Sequence, residues 1–200
     1  MTAPSIAVVD YRAGNLTSVI KGLTAAGSRP FVTADPTAAA GADAVVVPGV
    51  GHFAATAAVS EAMRDALRTA VAAGKPLLGV CLGLQFLFDG SEEAREVAGL
   101  GLLAGRCYLL QGDVKVPHVG WNTLERRRDS PVLDGVAGEA YVYYTHSYAA
   151  PLGDATVAST THGSTFAGVV ERGRVFGVQF HPEKSGEDGL RILRNFVALC

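Results

Sequence analysis

The sequence predicts an α/β fold: a mostly parallel central sheet flanked by helices, with a β-rich C-terminal half. Three observations point there. In the first half, short and continuously apolar runs alternate with stretches of helical period, the pattern of strands buried on both faces of a parallel sheet. From about Gly105 the pattern changes to short alternating strands without intervening helices. The length, 200 residues, is that of one domain, and such a chain buries roughly 70% of the surface its unfolded form exposes.

Taken in order, Ile6-Ala7-Val8-Val9 reads as the first buried strand, ended by Asp10. Asn15 to Ala26 reads as a helix, because Leu16, Val19, Ile20 and Leu23 fall on one stripe and Gly27 follows its end. Phe31-Val32 is a second strand, and Ala44 to Val47 is a third, stopped by Pro48. Glu61 to Ala73 is a helix with Met63, Leu67, Ala70 and Val71 turned inward, closed by Gly74. Leu77 to Val80 is the fourth strand, running into Cys81. In the second half the strands are Arg106–Leu110, Tyr141–Ser147, Thr156–Ser159, Thr165–Glu171 and Arg174–Phe180. Glu171-Arg172-Gly173-Arg174 forms the hairpin turn between the last two. A final helix, Gly189 to Leu199, sets Leu190, Leu193, Phe196 and Val197 on one side. No linker or repeat divides the chain, so one α/β domain is the economical reading.

Composition excludes several classes. Lys and Arg number 17 against 19 Asp and Glu, a net charge of −2, which lacks the electrostatic footprint of a dedicated nucleic-acid binder. Charged residues are 18% and hydrophobic residues 48%, the balance of a packed globule rather than a disordered chain. The stretch Met1 to Ser5 has no basic region, and Asp10 and Arg12 interrupt any secretory core. The longest apolar stretch, Leu77 to Phe88, contains Gln85 and falls short of the ~20 residues of a membrane span. Three cysteines, Cys81, Cys107 and Cys200, are an odd count without an export signal, and read as reduced thiols of a cytoplasmic protein.

Cys81 carries the chemistry. Leu77 to Gln85 runs strand, Cys81, helix, with Gly79 and Gly83 flanking the turn. That is the arrangement of a nucleophile elbow, which lifts a side chain above the sheet and aims the next backbone N–H, that of Leu82, into the site. A thiol at a helix N-terminus is also favoured as thiolate. The alternative is a buried core cysteine. A second glycine turn, Pro48-Gly49-Val50-Gly51, follows the third strand; at the carboxyl edge of the same sheet, its Val50 N–H is a candidate second oxyanion donor. His181-Pro182-Glu183 ends the last strand. In extended chain, residues two apart face the same way, so Glu183 is aimed to orient His181 as the base an acyl transfer needs. Cys107 and Cys200 lack elbow glycines and read as structural.

The Cys elbow, the glycine turn and His-Pro-Glu together resemble the class I (triad) glutamine amidotransferases, over nearly the whole chain. The resemblance implies that fold in a single amidotransferase domain, residues 1–200, with no cofactor or metal. It implies that Cys81 attacks the carboxamide of L-glutamine to form a thioester, and that His181, oriented by Glu183, shuttles the proton and releases ammonia. The Leu82 and Val50 amides would hold the oxyanion, and Gly51, Gln85, Tyr143 and Ser147 would cradle the glutamine. Asp10 to Leu16, Lys115 to Asn122, Tyr144 to Tyr148 and His181 to Gly186 further resemble the glutaminase subunits of imidazole glycerol phosphate synthases. Pro117-His118-Val119-Gly120-Trp121-Asn122 is the most specific of these segments. Arg12-Ala13, Val119 and His52 depart from the common Gly-Met, Met and Ala.

By that resemblance the ammonia passes to a (β/α)8 cyclase partner, in a heterodimer that uses neither nucleic acid nor membrane. The partner would make imidazole glycerol phosphate and an aminoimidazole carboxamide ribotide in histidine biosynthesis. Trp121, Asn122 and Lys184 are the candidates for the partner surface, the first as an amphipathic anchor. The glycine-flanked turn can hold two peptide orientations, so resting activity is expected to be suppressed, with the Val50 amide turned away until the partner's ligand binds. The competing readings are a stand-alone γ-glutamyl hydrolase and a silent binding module that kept the fold.

Overall fold

A computed structural model describes residues 2–200; Met1, which belongs to the expected domain and to the N-terminal stretch read above, lies outside the described residues. The strands are β1 (Ser5–Val9), β2 (Arg29–Thr33), β3 (Ala44–Val47), β4 (Leu77–Val80), β5 (Gly90–Ser91), β6 (Ala94–Ala98), β7 (Arg106–Leu109), β8 (His118–Arg126), β9 (Glu139–His146), β10 (Tyr148–Ala149), β11 (Thr156–His162), β12 (Ser164–Arg172) and β13 (Val175–Val178). The helices are α1 (Leu16–Ala25), α2 (Pro36–Gly41), α3 (Glu61–Ala72), α4 (Leu82–Leu87) and α5 (Gly186–Val197).

Nine strands form one sheet in the order β2-β1-β3-β4-β13-β12-β11-β8-β9. The pairs from β2 to β13 are parallel, and those from β13 to β9 are antiparallel. The two halves recognised in the sequence are thus one continuous mixed sheet, joined where β13 lies beside β4. A smaller sheet, β10-β7-β5-β6, stands apart from it.

The apolar runs are continuous because each strand feeds two cores. In β1, Ile6 and Val8 join Val19, Leu23, Ile192 and Phe196 on the face covered by α1 and α5. Ala7 and Val9 join Met63 and Leu67 of α3 and Phe86 of α4 on the opposite face. Local signals set the helix ends. Asn15 accepts from the Ser18 N–H at 3.3 Å and so caps α1 rather than beginning it, and Ser60 accepts from the Met63 N–H at 3.2 Å to start α3. α5 begins at Gly186, three residues before the sequence-based Gly189.

The strand β8 had no counterpart in the sequence reading. It alternates around Gly120 and Asn122, and its outer face is as apolar as its inner one, so no period-two pattern stands out. Among the described residues no helix is long and apolar enough to cross a membrane.

Candidate active site

The turn after β4 adopts the elbow conformation. Cys81 has φ 54° and ψ −109°, a region that L-residues occupy at a cost of ~1–3 kcal/mol, and it persists only when the surroundings impose it. They do. The Cys81 N–H donates to the Val178 carbonyl at 2.8 Å, and its carbonyl accepts from the Gln85 N–H at 3.2 Å. A Cβ at Gly83 would overlap the Val47 carbonyl, so only glycine lets α4 rest this closely on β3. The thiol sits 3.8 Å from Gln179 Nε2 and 3.9 Å from the Thr145 carbonyl.

His181 and Glu183 meet as expected, by a different route. His181 Nδ1–H donates to Glu183 Oε1 at 2.9 Å, both side chains being almost wholly buried. The chain is not extended here. Pro182 to Lys184 form a 3-10 turn, which brings the carboxylate back beneath the ring. The His181 N–H is anchored on the Tyr143 carbonyl at 2.9 Å. His181 Nε2 has no hydrogen-bond partner among the described residues and is available on the thiol side. Burial alone would lower the imidazole's pKa, but Cys81 and Glu183 outweigh it and hold it at about 9.

The two oxyanion candidates are not poised together. The Leu82 N–H donates to the Gly49 carbonyl at 3.4 Å. The Gly49–Val50 peptide is trans, so the Val50 N–H points opposite to that carbonyl, away from the Leu82 amide. At rest the two candidate donors therefore do not converge. The turn is held from behind by the buried Tyr11 hydroxyl, which donates to the Pro48 carbonyl at 2.6 Å.

Beside the thiol lies a cavity of about 290 Å3, lined in part by Gly51, Gln85, Glu93, His146 and Ser147. Gln85 Nε2 donates to the Tyr148 carbonyl at 2.7 Å, which fixes its amide at the cavity wall. Glu93 was missed in the sequence. It sits between β5 and β6 in a Ser-Glu-Glu run that reads as solvated, yet its Oε2 accepts from the Phe53 N–H at 2.7 Å. Tyr143 does not line the cavity. In β9 its ring points to the other face, 6.0 Å from Trp121 and 5.8 Å from Lys184 Nζ, and it serves the site through its carbonyl.

The outer face of β8 and β9 is unusually apolar for solvent, with Val119 58%, Trp121 55% and Tyr141 60% exposed. Trp121 is part of that face, and Lys184 Nζ reaches its edge at the Tyr143 ring. Asn122 does not lie there: one residue on, it turns to the inner face, where its Nδ2 donates to the Thr161 carbonyl at 3.0 Å. Among the described residues no group of three or more His, Cys, Asp or Glu side chains can hold a metal ion.

Comparison with known proteins adds the following. The family described as glutamine amidotransferase class-I matches residues 7–200. The chain is 49% identical to imidazole glycerol phosphate synthase subunit HisH of Halobacterium salinarum, over 98% of this chain and 94% of the relative. It is 48% identical to the subunit of the same name from Natronomonas pharaonis, again over 98% and 94%. The structure of PurLQS from Thermotoga maritima matches with a TM-score of 0.77 at 20% identity, over 98% of each chain, a likeness of fold.

Proposed function

The chain belongs to the class I glutamine amidotransferases, in the family of HisH subunits of imidazole glycerol phosphate synthase, and on that premise we propose how its residues act. The protein is a glutaminase of L-histidine biosynthesis that works as a single domain. Its ammonia goes to a (β/α)8 cyclase partner, which makes imidazole glycerol phosphate and aminoimidazole carboxamide ribotide. It acts in the cytoplasm, where its thiol stays reduced.

Glutamine enters the cavity with its side-chain amide toward Cys81, its amino-acid head among Gln85, Glu93 and Ser147, and Gly51 along the wall. The Glu93 carboxylate suits the α-ammonium. His181 Nε2 takes the Cys81 thiol proton, the sulfur attacks the carboxamide carbon, and the carbonyl π-electrons move to oxygen. As the tetrahedral species collapses, the C–N bond breaks and His181 Nε2–H protonates the departing nitrogen, leaving ammonia and a γ-glutamyl thioester. Neutral His181 then takes a proton from water, whose oxygen displaces the sulfur to give glutamate. Glu183 keeps Nδ1 protonated throughout, so that Nε2 always faces the reacting atoms.

One observation carries the reading: a cysteine in an imposed left-handed turn beside a histidine whose far nitrogen is tied to a buried carboxylate at 2.9 Å. The oxyanion has one donor at rest, Leu82, and that donor is occupied by Gly49. Turning the Gly49–Val50 peptide over frees the first amide and brings in the second. We assign that turn to docking of the loaded partner on the apolar face of β8 and β9.

The test is glutamate release by the chain alone, with the cyclase subunit, and with the cyclase subunit holding its ribonucleotide. Stimulation of about 10²–10³-fold in the last state is expected, the worth of an oxyanion donor. High activity alone, unchanged by the partner, would make the protein a stand-alone γ-glutamyl hydrolase. No release in any state would leave a binding module.

A further inference from the structure

At the back of the cavity three elements bring polar side chains together: buried His118 and half-buried Asn122 on β8, buried His146 on β9, which also lines the cavity, and buried Gln179 after β13. None of them has a part in the chemistry above. Yet their hydrogen bonds form one connected series, and the direction of each bond follows from its ends.

The Asn122 amide is oriented by its neighbours. Its Oδ1 accepts from the Thr123 N–H at 2.8 Å, so the nitrogen faces the Thr161 carbonyl at 3.0 Å and His118 Nε2 at 3.3 Å. His118 Nε2 is therefore the acceptor, and its Nδ1 carries the proton, given to His146 Nε2 at 3.2 Å. His146 Nδ1–H then donates to the Tyr148 carbonyl at 2.9 Å, the only role a carbonyl partner permits. The same carbonyl accepts from Gln85 Nε2 at 2.7 Å. The second proton of that amide reaches Gln179 Oε1 at 3.3 Å, and Gln179 Nε2 lies 3.8 Å from the Cys81 sulfur.

A single tautomer of each histidine satisfies the whole series. Burial also keeps both rings neutral, lowering His118 to about 4 and His146 to about 3. Stacking of His118 between Tyr144 and His162, with ring centroids 4.8 Å and 4.1 Å away, leaves it little freedom to swing out of line.

We propose that His118 and His146 are positioning residues of the glutamine site, acting through the Tyr148 carbonyl on the Gln85 amide. The inference rests on the glutaminase reading. It extends that reading from the cavity wall to the inner side of the strand whose outer face carries Trp121. Removing the donor on His118 frees His146 to rotate, loosens the Tyr148 carbonyl, and leaves Gln85 without a fixed orientation when glutamine arrives. The loss falls on binding, because the backbone bonds that clamp Cys81 and the His181–Glu183 pair lie outside the series.

The experiment is steady-state glutamine hydrolysis by the complex with the ribonucleotide-loaded cyclase subunit, comparing wild type, His118→Phe and His118→Asn. His118→Phe keeps the stacked ring and loses both hydrogen bonds; its KM for glutamine rises about tenfold, with kcat changed less than about threefold. His118→Asn keeps an N–H near the place of Nδ1 and recovers most of the affinity. An unchanged KM in His118→Phe, or equal KM values for the two variants, overturns the proposal. Should His118→Phe fail to fold, His146→Leu against His146→Asn applies the same test, the second retaining the donor to Tyr148. A wild-type complex that releases no glutamate overturns the underlying function itself, whereas an active wild type with indifferent variants overturns the relay alone.

Discussion

The turns after β3 and β4 lie side by side at the carboxyl edge of one parallel sheet, yet they are built differently. The Cys81 turn is over-determined: hydrogen bonds at 2.8 and 3.2 Å clamp both ends of the cysteine, and close packing beneath Gly83 fixes the helix that follows. The Gly49–Gly51 turn hangs from the Tyr11 hydroxyl and one long bond, 3.4 Å, to the Leu82 amide. The nucleophile is set before substrate arrives, and the stabilisation of its intermediate is the adjustable part. An enzyme so built keeps its reactive group ready while withholding the donors that make it fast.

Perturbing each turn sharpens the contrast. The largest effect belongs to the fixed turn: Cys81→Ser lowers glutamate release by about 10⁴-fold or more with the fold intact, and a retained rate would show that the thiol is not the nucleophile. Next comes Val50→Pro, which deletes one N–H of the movable turn; the partner-stimulated rate falls by about 10²-fold or more toward the resting rate. If stimulation survives in that variant, the Val50 amide is not the second donor.

Tyr11→Phe releases the rear anchor of the movable turn without touching the cavity. Resting glutamate release rises several-fold, and stability falls by about 1 kcal/mol, read from urea unfolding. A resting rate equal to wild type would show that this anchor does not hold the turn back.

The last effect is one of pH, read in stability rather than rate. The His181 pKa is raised in the folded protein to about 9 from 6.5, so the stability it contributes is complete below about 6.5 and disappears as pH climbs through about 9. Wild type therefore loses more unfolding free energy than Glu183→Gln across that interval. Parallel pH profiles would mean that the carboxylate does not hold the proton on His181.

Much of this was legible in the sequence, for physical reasons. Glycines at 79 and 83 around Cys81 leave few alternatives to a tight strand-to-helix turn, and runs such as Ala44 to Val47 can only be central strands. The fold class and its change of character near Gly105 follow from the same periodicities. What stayed hidden depends on contacts distant in the chain. Whether Glu93 is solvated or lines a cavity is decided by Phe53, forty positions away. Which side of β8 carries Asn122 and which way the Tyr143 ring points depend on a strand that the sequence did not reveal. The pairing of His181 with Glu183 was foreseen, but through extended chain, because the short 3-10 turn leaves no periodic trace.

Crowding at Gly49 has a mechanical consequence. A Cβ there would stand 2.6 Å from that of Leu82 and 2.9 Å from the Gly83 nitrogen, so the Cα of Gly49 has no room to travel. Reorientation of the Gly49–Val50 peptide must then be a crankshaft: ψ of Gly49 and φ of Val50 counter-rotate about a nearly stationary Cα–Cα axis, while the rest of the loop stays put. Such a motion leaves almost no trace in distances between labels or in the outline of the loop. It registers instead in the local field and solvent exchange of a single amide, that of Val50.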